Sequence, residues 1–282
     1  MALTVNTNVA SLNAQRNLQT NQAGLNSVFQ RLSSGLRVNS AKDDAAGLAV
    51  AEGMSSIIRG ANVAIRNAND GISMGQTAET ALGNVANQLQ RIREIAVQAA
   101  NGSITDTQRG NLQKEVDQLT QEIARTVGNT KFNDISLLDS SAAIVFQVGS
   151  SGSDTVSISG AGLTGLTSFG SSGLSALLTT TGVVDVSSSG AASGALASLD
   201  TDITAITEAR ATFGAVQNRF EAVISGLQAY SESLTAARGR IVDADFASET
   251  AALTRGQILQ QASTAILAQA NALPQNALTL LK

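Results

Sequence analysis

Three features of the chain invite a chemical reading: two acidic pairs, a glycine-rich run and an Asn-Gly-Ser tripeptide. Asp43 with Asp44, and Asp243 with Asp245, are carboxylates close enough in sequence to share a proton or hold a cation. Both pairs precede apolar-periodic runs, where free backbone N–H groups and the helix dipole favour acidic side chains, so capping is their expected role. Calcium would need more oxygen ligands than the neighbouring Ala, Lys and Phe supply. Gly160-Ala-Gly162-Leu-Thr-Gly165 has the spacing of a dinucleotide loop, with Asp185 twenty residues after Gly165. Such a loop must open a helix, and the Ser/Gly run through Gly170 and Gly173 cannot sustain one. Asn101-Gly-Ser103 is a formal glycosylation sequon that also serves as a helix stop.

The residue types that are missing exclude more. There is no His and no Cys, which removes the commonest general base, the commonest metal ligand, thiolate nucleophiles, disulfides and Cys-bound zinc. No catalytic residue, metal site or cofactor is therefore expected, and the chain reads as a structural protein instead of an enzyme. A net charge of −4 with no basic cluster argues against nucleic acid as a partner. The first ten residues, Met1 to Ala10, have neither the basic nor the apolar region of a cleavable signal, and no apolar run approaches membrane-spanning length. Export would need another route.

The elements that position these residues are mostly helices. Aromatics are 3% of the chain and much of the apolar content is Ala, a composition suited to closely packed long helices. Ala14, Leu18, Asn21, Leu25, Val28, Leu32 and Leu36 follow a spacing of three and four, which predicts a first helix ending near Ser33-Ser34-Gly35. Ser40 to Asp43 reads as a capping box that starts a second helix, from about Asp43 to Ala100, with Leu82, Val85, Leu89, Ile92, Ala96 and Ala99 on one face. A third helix begins near Thr105, with Gln108 completing its capping box and Leu112, Val116, Leu119, Ile123 and Val127 in its stripe. Residues 144–148 and 155–158 are predicted strands of a hairpin, and the Gly, Ser and Thr that follow read as exposed loop.

The strongest periodicity lies further on. Leu199, Ile206, Phe213, Phe220, Leu227, Leu234 and Ile241 recur every seven residues, with Ala209, Val216, Val223, Tyr230 and Ala237 at the second seam position. With Leu89 and Ile92, the first six of these are the expected bundle core. A last helix, from about Phe246 to Leu273, carries one stripe of Leu259, Ala262, Ile266, Ala270 and Leu273 and another of Gln257, Gln260, Gln261, Thr264, Asn271 and Gln275. Its uncharged polar face would suit either plain solvated surface or the wall of an aqueous channel. The fold class expected is mainly α, a long coiled-coil-like bundle formed by the two chain halves, with a small β-hairpin region in the middle.

Arg31-Leu-Ser-Ser-Gly-Leu-Arg-Val-Asn-Ser-Ala-Lys-Asp-Asp-Ala-Ala-Gly-Leu-Ala49 resembles the N-terminal signature of bacterial flagellin. The opening Val5 to Ala14, the segment Gln90 to Gln98 and the closing Ala270 to Leu278 are similar to that family too, so the resemblance covers about 1 to 140 and 196 to 282. It implies a subunit that polymerises into the extracellular flagellar filament for swimming and is exported unfolded by the flagellar type III apparatus. The implied domains are 1–42 with 243–282 as the inner tube, 43–141 with 196–242 as the outer helical bundle, and 142–195 as a short hairpin and variable region without outer domains. Implied partners are the chain itself, an export chaperone at the C-terminal segment, and the filament cap and hook-junction proteins. A hook–filament junction protein of the same superfamily is the alternative.

Two expectations about residues follow. Leu18, Leu25, Leu32, Leu259, Ile266 and Leu273 form assembly stripes that lack a sufficient mate within the chain, so the ends should be largely disordered until neighbouring subunits cover them. Family members sensed by Toll-like receptor 5 use a patch on the second and third helices, and the matching positions are Arg91, Ile95 and Glu115, with Ile95 replacing the usual Leu.

Overall fold

The structure, a computed structural model, describes residues 8–140, 142–161 and 184–279, with side chains through residue 272 at the C-terminal end. Its elements run α1 (Val9–Ser34), α2 (Ala45–Ala100), α3 (Asp106–Asn129), β1 (Lys131–Phe132), β2 (Ile135–Ser136), β3 (Ala143–Gln147), β4 (Thr155–Ser159), α4 (Ser189–Val242) and α5 (Phe246–Thr279). The described residues are mainly helical, as their seams predict, and include two small antiparallel strand pairs.

Local chemistry sets the helix ends. Asn8 caps α1 by accepting from the Ser11 N–H, and Gly35, at φ 70°, closes it with its own N–H on the Arg31 carbonyl. The capping box expected at Thr105 and Gln108 is present. The one expected at Ser40 is not. Asp43 folds back on Asn39 and Ser40 in a turn, and Asp44 caps α2 by accepting from the Gly47 N–H, so the helix starts at Ala45. At the other end of the chain, α5 continues past Pro274 to Thr279, beyond its expected end at Leu273.

The predicted hairpin forms with Ile144 opposite Ile158 and Phe146 opposite Val156. In β4, Val156 and Ile158 turn inward while Thr155, Ser157 and Ser159 face out, the period-two burial of a half-covered strand. The β1–β2 pair has no counterpart in the predicted elements. Asn133 and Asp134, at φ 49° and 63°, make its two-residue turn, and both tolerate the left-handed region.

The chain divides into two compact units, residues 59–231 and residues 1–58 with 232–282. In the first, Leu82, Leu89, Ile92 and Ile95 of α2 pack with Val116, Ile123 and Val127 of α3, Leu199, Ile206, Phe213 and Phe220 of α4, and Val156 and Ile158 of the hairpin. Phe146 meets Phe220 edge-on, with ring centroids 5.6 Å apart. The heptad core is shorter than its sequence repeat: the buried cluster ends at Phe220, with Val223 and Ile224 at its margin, and Leu227 and Leu234 are only half-buried.

In the other unit, Val38, Ala51 and Val242 form a small apolar cluster. Leu36 bridges Asp243, the Arg37 N–H donates to the Val242 carbonyl at 2.7 Å, and the Ala244 N–H donates to the Gly35 carbonyl at 2.9 Å. These bonds tie the exit of α1 to the entry of α5, and the two helices pack antiparallel.

Candidate assembly surface

The stripe of α1 has a mate within the chain, contrary to the sequence expectation. Ala14 and Leu25 are buried, and Leu18, Asn21, Val28 and Leu32 are half-buried along the face that meets α5. The covering face of α5 is Leu253, Gly256, Gln260, Ser263, Leu267 and Ala270, again spaced by three and four. This is a different face from the stripe of Leu259 and Ile266. At Gly256 a Cβ would lie 2.8 Å from Leu25 Cδ2, so the absence of a side chain is what admits Leu25. Asn8 Nδ2 donates to the Ala270 carbonyl (2.8 Å), Ser11 Oγ to Asn271 Oδ1 (2.8 Å) and Asn21 Nδ2 to Ser263 Oγ (3.4 Å), fixing the antiparallel register. Arg31 pairs with Glu249 at 3.3 Å near the turn.

With that seam closed, three bulky side chains of α5 are left on the outside. Ile258, Leu259 and Ile266 are 61%, 44% and 60% exposed. Val9, Leu12 and Phe29 of α1, and Phe246 at the start of α5, are exposed too. Apolar residues scattered singly are ordinary on a surface, and seven of them lie on this pair of helices. The side chain of Leu273, the sixth stripe residue, lies outside the described residues. On the polar stripe of α5, Gln257, Gln261 and Thr264 are exposed, whereas Gln260 belongs to the covered seam.

In the other unit, Arg91 and Glu115 are brought together. Arg91 Nη2 lies 2.9 Å from Glu115 Oε1 and Nη1 lies 3.0 Å from Glu94 Oε2, so the two carboxylates hold the guanidinium above its usual range. Ile95 does not join them. It is 1% exposed and packs in the core, which leaves Arg91 and Glu115 as the accessible members of the expected receptor trio. Along the same two helices, an open groove of about 730 Å³ is lined by Thr77, Thr80, Asn84, Asn87 and Gln88 of α2 and by Glu122, Arg125 and Thr126 of α3. Its lining is mostly amide and hydroxyl, with the Glu122–Arg125 ion pair, Lys131 and the single methyl of Ala81, suited to polar contact.

Two positioning residues escaped the sequence reading. Gln113 reaches from α3 to the segment that leads into α4, donating to the Val184 carbonyl (2.9 Å) and accepting from the Val186 N–H (2.6 Å), as a neighbouring strand would. Arg109 is 6% exposed and donates to the Ala99 carbonyl (2.8 Å), the Asn101 carbonyl (2.9 Å) and Asp106 Oδ1 (2.8 Å), satisfying carbonyls left open at the end of α2. Neither belongs to an apolar period. Among the described residues there is no group of three or more acidic, His or Cys side chains placed to hold a metal, and no helix is long and apolar enough to cross a membrane. Gly162 to Gly165 of the glycine-rich run lie outside the described residues.

The chain is similar to known proteins along most of its length. Residues 5–143 match the bacterial flagellin N-terminal helical region and residues 196–281 match the C-terminal helical region. The chain is 42% identical over 279 residues to a flagellin of Halalkalibacterium halodurans, covering 99% of each chain. It is 40% identical over 304 residues to a flagellin of Bacillus subtilis, again covering 99% of each. A solved structure of a flagellar hook-associated protein from Vibrio parahaemolyticus shares the fold, with a TM-score of 0.59 at 15% identity over 71% of this chain and 100% of that one. The two terminal matches and the full-length relatives place this chain in the bacterial flagellin family.

Proposed function

We propose that this chain is a subunit of the bacterial flagellar filament, that it leaves the cell through the flagellar type III apparatus, and that it acts outside the cell in swimming. The observation that carries the reading is the outer face of the terminal helix pair. Its mutual seam is closed by Leu25 of α1 against Gly256, with Leu253, Leu267 and Ala270 of α5, yet Ile258, Leu259 and Ile266 remain exposed. Each such side chain gains about 1.5–3 kcal/mol on full burial, so a second copy of the chain covering this face would supply the drive to polymerise. On this reading 1–42 and 243–282 form the inner tube, 43–141 and 196–242 the outer helical layer, and 142–195 the hairpin and variable region. Before export the same α5 face is the natural seat for a chaperone, which would keep it from premature contact.

Seeded assembly tests the proposal. The full chain should extend filament fragments into tubes visible by electron microscopy, and a chain that stays monomeric with seeds present would refute it. The junction-protein reading rests on shared fold alone, and abundance separates the two, because a filament subunit makes up most of the mass of sheared filaments. Toll-like receptor 5 recognition rests on Arg91 and Glu115, both exposed on neighbouring helices. Arg91→Ala with Glu115→Ala should reduce the receptor response severalfold, and an unchanged response would remove this partner.

A further inference from the structure

The turn between α2 and α3 assembles the parts of an intramolecular reaction. Asn101 and Gly102 are exposed, and no atom lies within 4 Å of where a Gly102 Cβ would sit. The Gly102 N–H has no hydrogen-bond acceptor among the described residues, so it is available as a nucleophile. At two other asparagines the following N–H is taken: after Asn39 the Ser40 N–H is held by Asp43 Oδ2 at 2.9 Å, and after Asn129 the Thr130 N–H is held by the Thr126 carbonyl at 3.1 Å.

Two donors converge on the Asn101 carbonyl oxygen, Arg109 Nη2 at 2.9 Å and the Ile104 N–H at 3.3 Å. That oxygen belongs to the amide whose nitrogen is Gly102. A buried guanidinium and a backbone N–H aimed at it stabilise the anion formed when Gly102 loses its proton, which is the physics of an oxyanion hole. The Ser103 N–H donates to Asn101 Oδ1 at 3.1 Å and polarises the side-chain amide that the nitrogen would attack.

The geometry points to Asn101 as a self-modifying site that converts to isoaspartate, with Arg109 as the electrophilic group. Solvent base takes the Gly102 amide proton, the nitrogen bonds to Asn101 Cγ, and the side-chain nitrogen leaves as ammonia, closing a succinimide. Water then adds to the former main-chain carbonyl, which Arg109 polarises, and the bond from that carbon to the Gly102 nitrogen breaks. The chain now runs through Cβ and Cγ, and the released α-carboxylate stands where the Arg109 guanidinium already donates, a charge-assisted pair that holds the product.

The test compares the native full chain with the same chain unfolded in urea at one pH and temperature. Ammonia release is followed, and isoaspartate at residue 101 is located by peptide mapping with fragmentation that distinguishes it from Asp. The native protein should react on the order of tenfold faster or more, equivalent to a barrier lower by ~1.4 kcal/mol or more. An equal or slower native rate overturns the proposal. Gly102→Ala, which meets no steric conflict, should slow the native reaction by a similar factor, and an unchanged rate would also overturn it. Arg109→Lys, if circular dichroism shows it folded, should fall to the rate of the unfolded chain with a lower ratio of isoaspartate to aspartate. A folded Arg109→Lys protein with the native rate and ratio removes Arg109 from the reaction, and if that variant does not fold the native-against-urea comparison decides alone.

Discussion

At Gly71 the backbone of α2 passes so close to α4 that a Cβ would sit 2.7 Å from Phe220 Cζ. Phe220 is fully buried and already meets Phe146, so its ring has little room to yield. Gly71→Ala should therefore destabilise the 59–231 unit by about 1–3 kcal/mol despite the higher helix propensity of Ala, which thermal melting would detect. The titrating residues make a second prediction. Asp43 is held below the usual carboxylate range chiefly by the Ser40 hydroxyl, Asp185 by Ser187, Glu122 by Arg125 and Asp200 by Arg93. A lowered folded pKa stabilises the fold above the unfolded value and loses that contribution as pH falls through the folded one. With no His in the chain, the melting temperature should stay nearly flat from about pH 5 to pH 8 and drop below about pH 4. A midpoint that moves strongly near neutral pH would contradict this.

The α1–α5 pair shows what a sequence displays of an element and what it hides. The α1 seam was legible because its covered residues are bulky and spaced by three and four. The covered face of α5 was not, because between Leu253 and Leu267 the packing uses Gly256, Gln260 and Ser263, and the period of Leu259 and Ile266 draws attention to the flanking side. Small residues give no hydrophobic signal, and their role appears only when Leu25 occupies the space beside Gly256. Gly256→Val should open the pair and abolish seeded assembly while the melting of the 59–231 unit stays unchanged, a separation visible by combining pelleting with calorimetry. The β1–β2 turn was hidden for another reason, since two-residue strands carry no period. Gln113 and Arg109 act through backbone carbonyls and amides at turns, which no repeat encodes. Gln113→Ala would leave the Val184 carbonyl and the Val186 N–H without their partner, and a loss of about 1–3 kcal/mol is expected in denaturant unfolding.

Across the whole molecule, the two units differ in what they bury. Residues 59–231 enclose a continuous apolar core, whereas residues 1–58 with 232–282 rely on a small cluster, one helix seam and a few hydrogen bonds. Regions with few buried apolar contacts open at low free energy, so limited proteolysis of the soluble chain should remove both ends before cutting the interior. Equal protection of ends and interior would contradict the assignment of polymerisation to the ends. The central claim is that the exposed face of α5 is covered by another copy of the chain. Its most direct test is seeded polymerisation of Ile258→Asp with Ile266→Asp, measured by pelleting and electron microscopy beside the unaltered chain. Because both side chains are already solvent-exposed, the variant should keep the helical content and thermal midpoint of the monomer yet lose at least about tenfold of its pelletable mass. Filaments formed in equal yield by the variant would contradict the account.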